Sequence, residues 1–314
     1  MGHQARPLGA GAAAIYVGLT GFSRGGPRSE LTSLTLQDVL VAAHAQGRHV
    51  QVALTTIPRP AERRDLAEKV WELLWWGIDG VIVNDVGLLA ELRSRHPTLG
   101  PTASIGSAVM NEADVAFYRE IGVCQVVADT TLTLRDLLSR KAQLDVGIEI
   151  LIHANACLTC LGKCWMSPYY RLERTIDEAG KDLFEGSPNR GGIDYRVCLE
   201  AWQFYGGDIK REDCVALRNE AFFLLEDIPY LIDLGVRCPK IRGREYTTSL
   251  AGNIVRFYRE LLDAYAANTP GGPFDLNPWK MRVAVIQAEW DRQRHAGTLA
   301  LLVEAKLPVR AKHV

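Results

Sequence analysis

From Ala13 to about Leu144 the chain alternates between two hydrophobic patterns. Short β-branched apolar runs are followed by turns and then by amphipathic stretches of roughly 12 to 18 residues with helical spacing. This grammar predicts an α/β fold with a parallel sheet. Strands are expected at Ile15–Leu19, His49–Leu54, Gly80–Asn84, Ala103–Ala108, Gln125–Ala128 and Ile148–His153. Helices are expected at Thr35–Ala45, Ala61–Trp76, Val86–Arg95, Asn111–Ile121 and Leu132–Lys141, with Thr35, Asn111 and Thr133 as capping residues.

Regularity stops at His153. Residues 154–213 are rich in Cys, Gly, Pro, Tyr and Trp without a clean period, and so long an irregular insertion in a compact domain is usually functional. The grammar returns in a helix at Leu217–Leu234, a strand at Pro239–Arg242 and a helix at Ser249–Ala267, and a final helical segment runs from Met281 to Ala305. The expected architecture is a TIM-like parallel α/β barrel over residues 1–268, including the insertion, with residues 269–314 as a helical tail packed on it. The strands so read number seven where a closed barrel of this type has eight. The expectation is therefore a start upstream of Met1, or an Ile15–Leu19 edge covered by the tail or by a second subunit.

Composition narrows the function. With 314 residues, 36 Lys+Arg and 37 Asp+Glu, the formal charge is −1, so no broad cationic surface is expected and nucleic acid is an unlikely partner. No apolar run approaches the roughly 18 residues of a membrane span, and the first ten residues lack a secretory apolar core, so the expected address is the cytoplasm. Seven cysteines then read as thiols or metal ligands rather than a disulfide framework.

Cys157, Cys160 and Cys164 leave the C-terminal end of a predicted strand, which in a barrel is the catalytic end. With Cys198 and Cys214 they supply more than the four thiolates that an iron–sulfur cluster or a structural zinc needs, and their clustering favours ligands over buried free thiols. Lys240, Arg242 and Arg244 alternate along a predicted strand and would share one face, a costly arrangement in a barrel without an anionic ligand. Arg190, in Asn189-Arg190-Gly191-Gly192, offers a guanidinium fork to the same kind of ligand. His153 is the candidate proton carrier, although a lone histidine at a strand end is more often structural. Trp71, Trp75 and Trp76 on one helix read as core or interface packing. The sequence contains no H-E-x-x-H or G-x-S-x-G, so a peptidase is the poorest reading.

Several short segments carry a resemblance. Gly11–Gly18 is similar to the GADAVYVG opening of the collagenase-like peptidase family U32. Phe22-Ser23-Arg24 resembles its FSMR, and His153–Cys157 resembles its HGALC. Gly162-Lys163-Cys164 is similar to its SGRC, Asn189–Gly192 to its NRGAC, Leu224–Ile232 to its LLEHIPELI and Lys240–Arg244 to its KIEGR. The matches keep their order over about four fifths of the chain.

The resemblance implies a 4Fe-4S cluster and oxygen-independent hydroxylation, with prephenate as oxygen donor or cosubstrate. Carried over residue by residue, it implies Cys157, Cys164, Cys198 and Cys214 as cluster ligands, with Cys160 able to replace Cys198, which is offset from the family position. Arg242 stands where the family has glutamate. The first reading is therefore hydroxylation of a small aromatic or anionic molecule, with Arg190, Lys240, Arg242 and Arg244 as its binding residues. The alternatives are an RNA-modifying hydroxylase or a non-catalytic subunit. A homodimer, or a heterodimer with another such barrel, is the partner arrangement expected.

Overall fold

The computed structural model describes residues 9–23, 30–128, 145–155, 173–176, 182–185, 201–202, 205–206, 209–210, 215–216, 221–233, 235–236, 238–243, 246–268 and 272–304. The strands are β1 (Ala14–Leu19), β2 (Glu30–Leu31), β3 (His49–Leu54), β4 (Gly80–Val83), β5 (Thr102–Ala103), β6 (Gln125–Ala128) and β7 (Gly147–Asn155). They are followed by β8 (Glu173–Ile176), β9 (Asp182–Glu185), β10 (Ala201–Trp202), β11 (Tyr205–Gly206), β12 (Ile209–Lys210), β13 (Val215–Ala216), β14 (Ala221–Phe223) and β15 (Cys238–Ile241). The helices are α1 (Ser33–His44), α2 (Glu62–Trp75), α3 (Val86–Arg95), α4 (Glu112–Glu120), α5 (Ile228–Asp233), α6 (Thr248–Ala266) and α7 (Asn277–Glu304).

The fold is mixed α/β around a mostly parallel sheet. Eight parallel strands lie in the order β2-β1-β3-β4-β5-β6-β7-β15, and β14 joins the end of β7 antiparallel. One face is apolar: Val50, Val52 and Leu54 alternate along β3, Val81 and Val83 along β4, and Ile148, Ile150 and Ile152 along β7, all nearly or fully buried. The buried stripes of the first helices, among them Leu36 and Leu40 of α1, Val70 and Leu73 of α2 and Leu88 and Leu92 of α3, supply the matching apolar surface.

Helix starts follow capping chemistry. The N-cap of α1 is Thr32, and Thr35 is the third helical residue closing a capping box with it, so the expected cap lies three residues too far along. Asn111 caps α4 by accepting from the Asp114 N–H at 3.0 Å. The expected Thr133 cap and Leu132–Lys141 helix lie outside the described residues.

Three other expectations change. The expected helix at Leu217–Leu234 is in part strand: Ala221–Phe223 form β14, because Phe222 and Phe223 pair with Ala154 and His153 on an open flank of β7, and among the described residues helix begins only at Ile228. The expected strand Ala103–Ala108 is two residues of β5 followed by a 3-10 turn over Ile105–Ser107. The eighth parallel strand is β2, whose Glu30 and Leu31 pair with Gly18 and Leu19, covering the last two residues of the edge expected to be open. A two-residue strand carries no period to read. Among the described residues no hydrogen-bonded ladder joins β15 to β1 or β2.

Chain contacts divide the molecule into a unit spanning Ala13–Arg244 and a unit formed by Gly2–Ala12 with Glu245–Val314. The Pro/Gly break after Asn268 thus falls within the second unit. There α6 is capped by Thr247, which accepts from the Leu250 N–H at 3.3 Å and donates to Gln293 of α7 at 3.0 Å. Arg282 of α7 bonds Glu260 at 2.7 Å with its guanidinium over the Phe257 ring.

Candidate functional site

The second face of the sheet is mixed, and a polar set stands on it among Ala53, Ile82, Val127 and Leu151. Register places Tyr16 beside Gln51 in β1 and β3, Thr102 beside Gln125 in β5 and β6, and Glu149 beside Cys238 in β7 and β15, all on that face. Lys240 lies two residues beyond Cys238 on the same face, and its Nζ stands 4.2 Å from the centre of the Tyr16 ring. Five strands separate β1 from β15 in the sheet order. A side-chain contact between them requires the sheet to curl around this face, which is therefore the inner one.

The lower part of this face is a closed network centred on Glu149, which is 2% exposed. Lys240 Nζ is ion-paired with Glu149 Oε1. Gln125 Nε2 donates to Oε2 at 2.5 Å, and Cys238 Sγ donates to the same oxygen at 3.4 Å. Burial, reinforced by the Glu149 charge, pushes the Cys238 thiol up to about 12. Four groups from three strands thus satisfy one another in a place where any one of them alone would be costly.

The upper part lies where the parallel strands end. Ser23 folds back over Gly18 so closely that a Cβ there would come within 2.1 Å of its Oγ. Thr55 follows β3, Asn84 follows β4, Ser104 follows β5, and His153 sits near the end of β7. Each is buried, with exposures from 0% for Ser23 and His153 to 7% for the other three. Toward β1 and β3–β5 this tier is built of hydroxyls and an amide, whereas toward β7 and β15 it carries His153 and Arg242. Much of its hydrogen bonding is spent locally. Ser23 Oγ donates to Glu30 at 2.7 Å, Thr56 Oγ1 to the Phe22 carbonyl at 3.3 Å and Ser107 Oγ to the Asn84 carbonyl at 3.5 Å. Among the described residues the buried Asn84 Oδ1 has no hydrogen-bond partner.

The turn after β5 holds Asn84 in place. Ser104 N–H donates to the Val83 carbonyl at 2.7 Å, and Tyr118 OH clamps the Ser107 carbonyl at 3.1 Å. Ala108 is left in the left-handed region at φ 53°, a conformation that an L side chain adopts at a cost. Gly106 lies flat against the Asn84 amide, where a Cβ would fall 1.9 Å from Oδ1.

The residues singled out in the sequence are distributed unevenly. Arg190, Arg244, Cys157, Cys160, Cys164, Cys198 and Cys214 lie outside the described residues. His153 is fully buried, its Nδ1 bonded to the Phe222 carbonyl at 2.9 Å and its ring 4.3 Å from that of Phe223, so it fastens β14 to β7. Lys240, expected to offer its charge to a ligand, is paired with Glu149. The expected strip of three alternating cations does not form at Arg242: β15 ends at Ile241 after a register shift, and the Arg242 N–H bonds the His153 carbonyl at 2.8 Å. On α2, Trp71 stacks on His96 at 5.3 Å, and Trp75, 84% exposed, is not a core residue of this chain. Among the described residues no group of three or more His, Cys, Asp or Glu side chains is arranged to hold a metal.

Sequence reasoning passed over Glu149, Gln125, Tyr16 and Asn84. The signal was present in Ile148-Glu149-Ile150-Leu151-Ile152, where a lone carboxylate interrupts an apolar strand and a buried charge needs a partner.

Comparison with known proteins agrees with the motif pattern. The tRNA hydroxylation protein P of Escherichia coli is 28% identical over 85% of this chain and 66% of its own length. The 23S rRNA 5-hydroxycytidine C2501 synthase of Escherichia coli is 28% identical over 81% of this chain and 36% of its own. The chain therefore spans less than two thirds of the length of these curated relatives. Among solved structures, the U32 peptidase Mk0906 overlaps 47% of this chain and 63% of its own, with a TM-score of 0.41 and 17% identity. The family model described as Peptidase family U32 matches residues 5–288, and the chain belongs to that family.

Proposed function

We propose that this chain is an oxidoreductase that hydroxylates a base of RNA without molecular oxygen, its substrate site being the inner face of a TIM-like barrel at the C-terminal ends of the parallel strands. The observation that carries this reading is the match to relatives named as tRNA and rRNA hydroxylases across more than four fifths of the chain. It replaces the small-molecule reading of the sequence and its expectation that nucleic acid is an unlikely partner. A formal charge of −1 averages the whole surface and says little about the local field along one groove.

The cluster ligands proposed are Cys157, Cys164, Cys198 and Cys214. The described residues offer no competing site, since the Cys238 thiol is held protonated beside Glu149 and is a poor thiolate donor. When bound, a 4Fe-4S cluster would supply electron transfer. Around it the chain's own residues have separable tasks. The buried hydroxyls and amide at the ends of β1 and β3–β5 receive a neutral group. Arg242, with Arg190 and Arg244 in the proposal, holds a carboxylate-bearing donor of the prephenate type. The His153 carbonyl fixes the Arg242 backbone by the 2.8 Å bond, while its ring keeps β14 in register.

Anaerobic reconstitution followed by iron and sulfide analysis, and a transfer-RNA binding titration across a salt series, test the two halves. The reading expects a cluster lost in Cys157→Ala and Cys164→Ala, and RNA affinity that falls steeply with salt. Protein that takes up no iron, or that binds RNA at no salt concentration, contradicts it.

A further inference from the structure

Among the described residues, the Asn84 amide belongs to the strand-end tier and its bonding is incomplete. Its Oδ1 is buried with no partner among the described residues, while the neighbouring Thr56, Ser107 and Ser23 hydroxyls are engaged. A buried carbonyl oxygen left unmade costs roughly 1–3 kcal/mol, so its retention calls for a function. A second and independent observation is the turn that backs it. Gly106 leaves no room for a Cβ against Oδ1, and the turn ends in the left-handed Ala108. Strain of this kind persists where the surroundings over-determine it, as at ligand clamps. Asn84 also continues the alternation of Gly80 and Ile82, on the face shared with Thr102 and Gln125.

We propose that Asn84, aligned by Gly106, is the specificity residue that reads the donor–acceptor edge of a flipped pyrimidine base. The inference rests on the RNA reading above and adds a residue and an edge to it. A side-chain amide presents an acceptor beside a donor, which matches the ring N3–H and carbonyl of uracil, or the exocyclic amine and N3 of cytosine. The side chains flanking Asn84 on its own edge of the tier, Thr55 and Ser104, are uncharged and suit a neutral base. The Glu30 carboxylate, on the β1 side of the tier, is already bonded to Ser23 and the Gly21 N–H. An enzyme that modifies a base takes it out of the stack and reads it by such an edge.

The test uses the full chain and five-nucleotide RNAs with one central uridine, cytidine or 3-methyluridine, with dissociation constants measured by fluorescence anisotropy. N3-methylation removes the N–H that meets Oδ1. Wild type is expected to bind the methylated RNA at least tenfold more weakly than the uridine RNA. In Asn84→Ala that methylation penalty vanishes, with the same thermal midpoint within a few degrees. Gly106→Ala, which keeps the amide but displaces it, is expected to lose the penalty as well. An equal penalty in wild type and both variants overturns the inference while leaving RNA binding intact, as does a wild type that does not discriminate, the outcome if Oδ1 meets only a water. Failure of every RNA to bind contradicts the RNA reading itself and takes the inference with it.

Discussion

Lys240 and Glu149 form an ion pair inside the curled sheet, with Glu149 2% and Lys240 12% exposed, and the Lys240 ammonium also lies over the Tyr16 ring. One pair thereby ties β15 to β7 and brings both against β1. Removing one partner leaves an uncompensated buried charge, so Lys240→Met is expected to cost about 3–5 kcal/mol. Lys240→Met with Glu149→Gln removes both charges and should recover most of that loss. Urea denaturation of the two single variants and the double variant measures the coupling. Additive losses would mean that the two charges do not depend on one another.

Cys238 hydrogen-bonds the same carboxylate, and burial with that charge raises its thiol to about 12. A thiol whose folded value is raised holds its proton more tightly in the native state than in the unfolded one. Its contribution to stability is therefore complete below about pH 8.5, the value of a free thiol, and declines as pH rises from there toward 12. The decline is at most about 1.4 kcal/mol per pH unit. Denaturation midpoints between pH 8 and 10 should fall in wild type and fall less in Cys238→Ala. Cys238 should also resist alkylation at pH 8 on the order of 10³-fold relative to free cysteine, read by peptide mass spectrometry. Rapid native labelling would contradict the buried thiol.

Ala108 occupies φ 53° at the end of the turn that carries Gly106. Glycine there escapes the left-handed penalty of roughly 1–2 kcal/mol but loses about 0.5–1 kcal/mol through unfolded-chain entropy. Ala108→Gly is expected to be neutral or stabilising by about 0.5 kcal/mol. The exposed Ala42 in α1 serves as the reference, where glycine should cost about 1 kcal/mol. Equal losses at the two positions in thermal melts would remove the strain from the account of the turn.

Asp79 accepts from the Val50 N–H at 2.7 Å and bridges His44 and His49 at 3.0 Å each. Burial by itself would raise its carboxyl, but the His49 bond, the Val50 N–H and His44 together hold it below the usual range. A lowered folded value places its stabilising contribution above about pH 4, lost as pH falls further through the native value. The acid limb of the stability curve should be shallower in Asp79→Asn than in wild type. Identical acid limbs would show that the bridge is not maintained in solution.

The sequence made the apolar face of the sheet legible and hid the polar set on the other. His49–Leu54 and Gln125–Ala128 coincide with β3 and β6 because both strands are long enough to carry a period. The strand β2 and the strand β14 escaped for opposite reasons: β2 is two residues long, and β14 lies in a leucine-rich stretch of helical spacing that pairing with β7 overrides. Lys240 read as a ligand-binding cation because its partner stands about ninety residues earlier, at Glu149, a distance across which no local pattern operates. Asn84 was read only as the last residue of a strand, since an unsatisfied oxygen is visible in three dimensions alone.

The central claim is hydroxylation of an RNA base. The direct measurement is mass spectrometry of nucleosides digested from transfer and ribosomal RNA after incubation with anaerobically reconstituted protein, reductant and prephenate. The account predicts a pyrimidine nucleoside heavier by one oxygen atom, formed without molecular oxygen and absent with Asn84→Ala. RNA left unmodified while a small aromatic acid acquires the oxygen would contradict it.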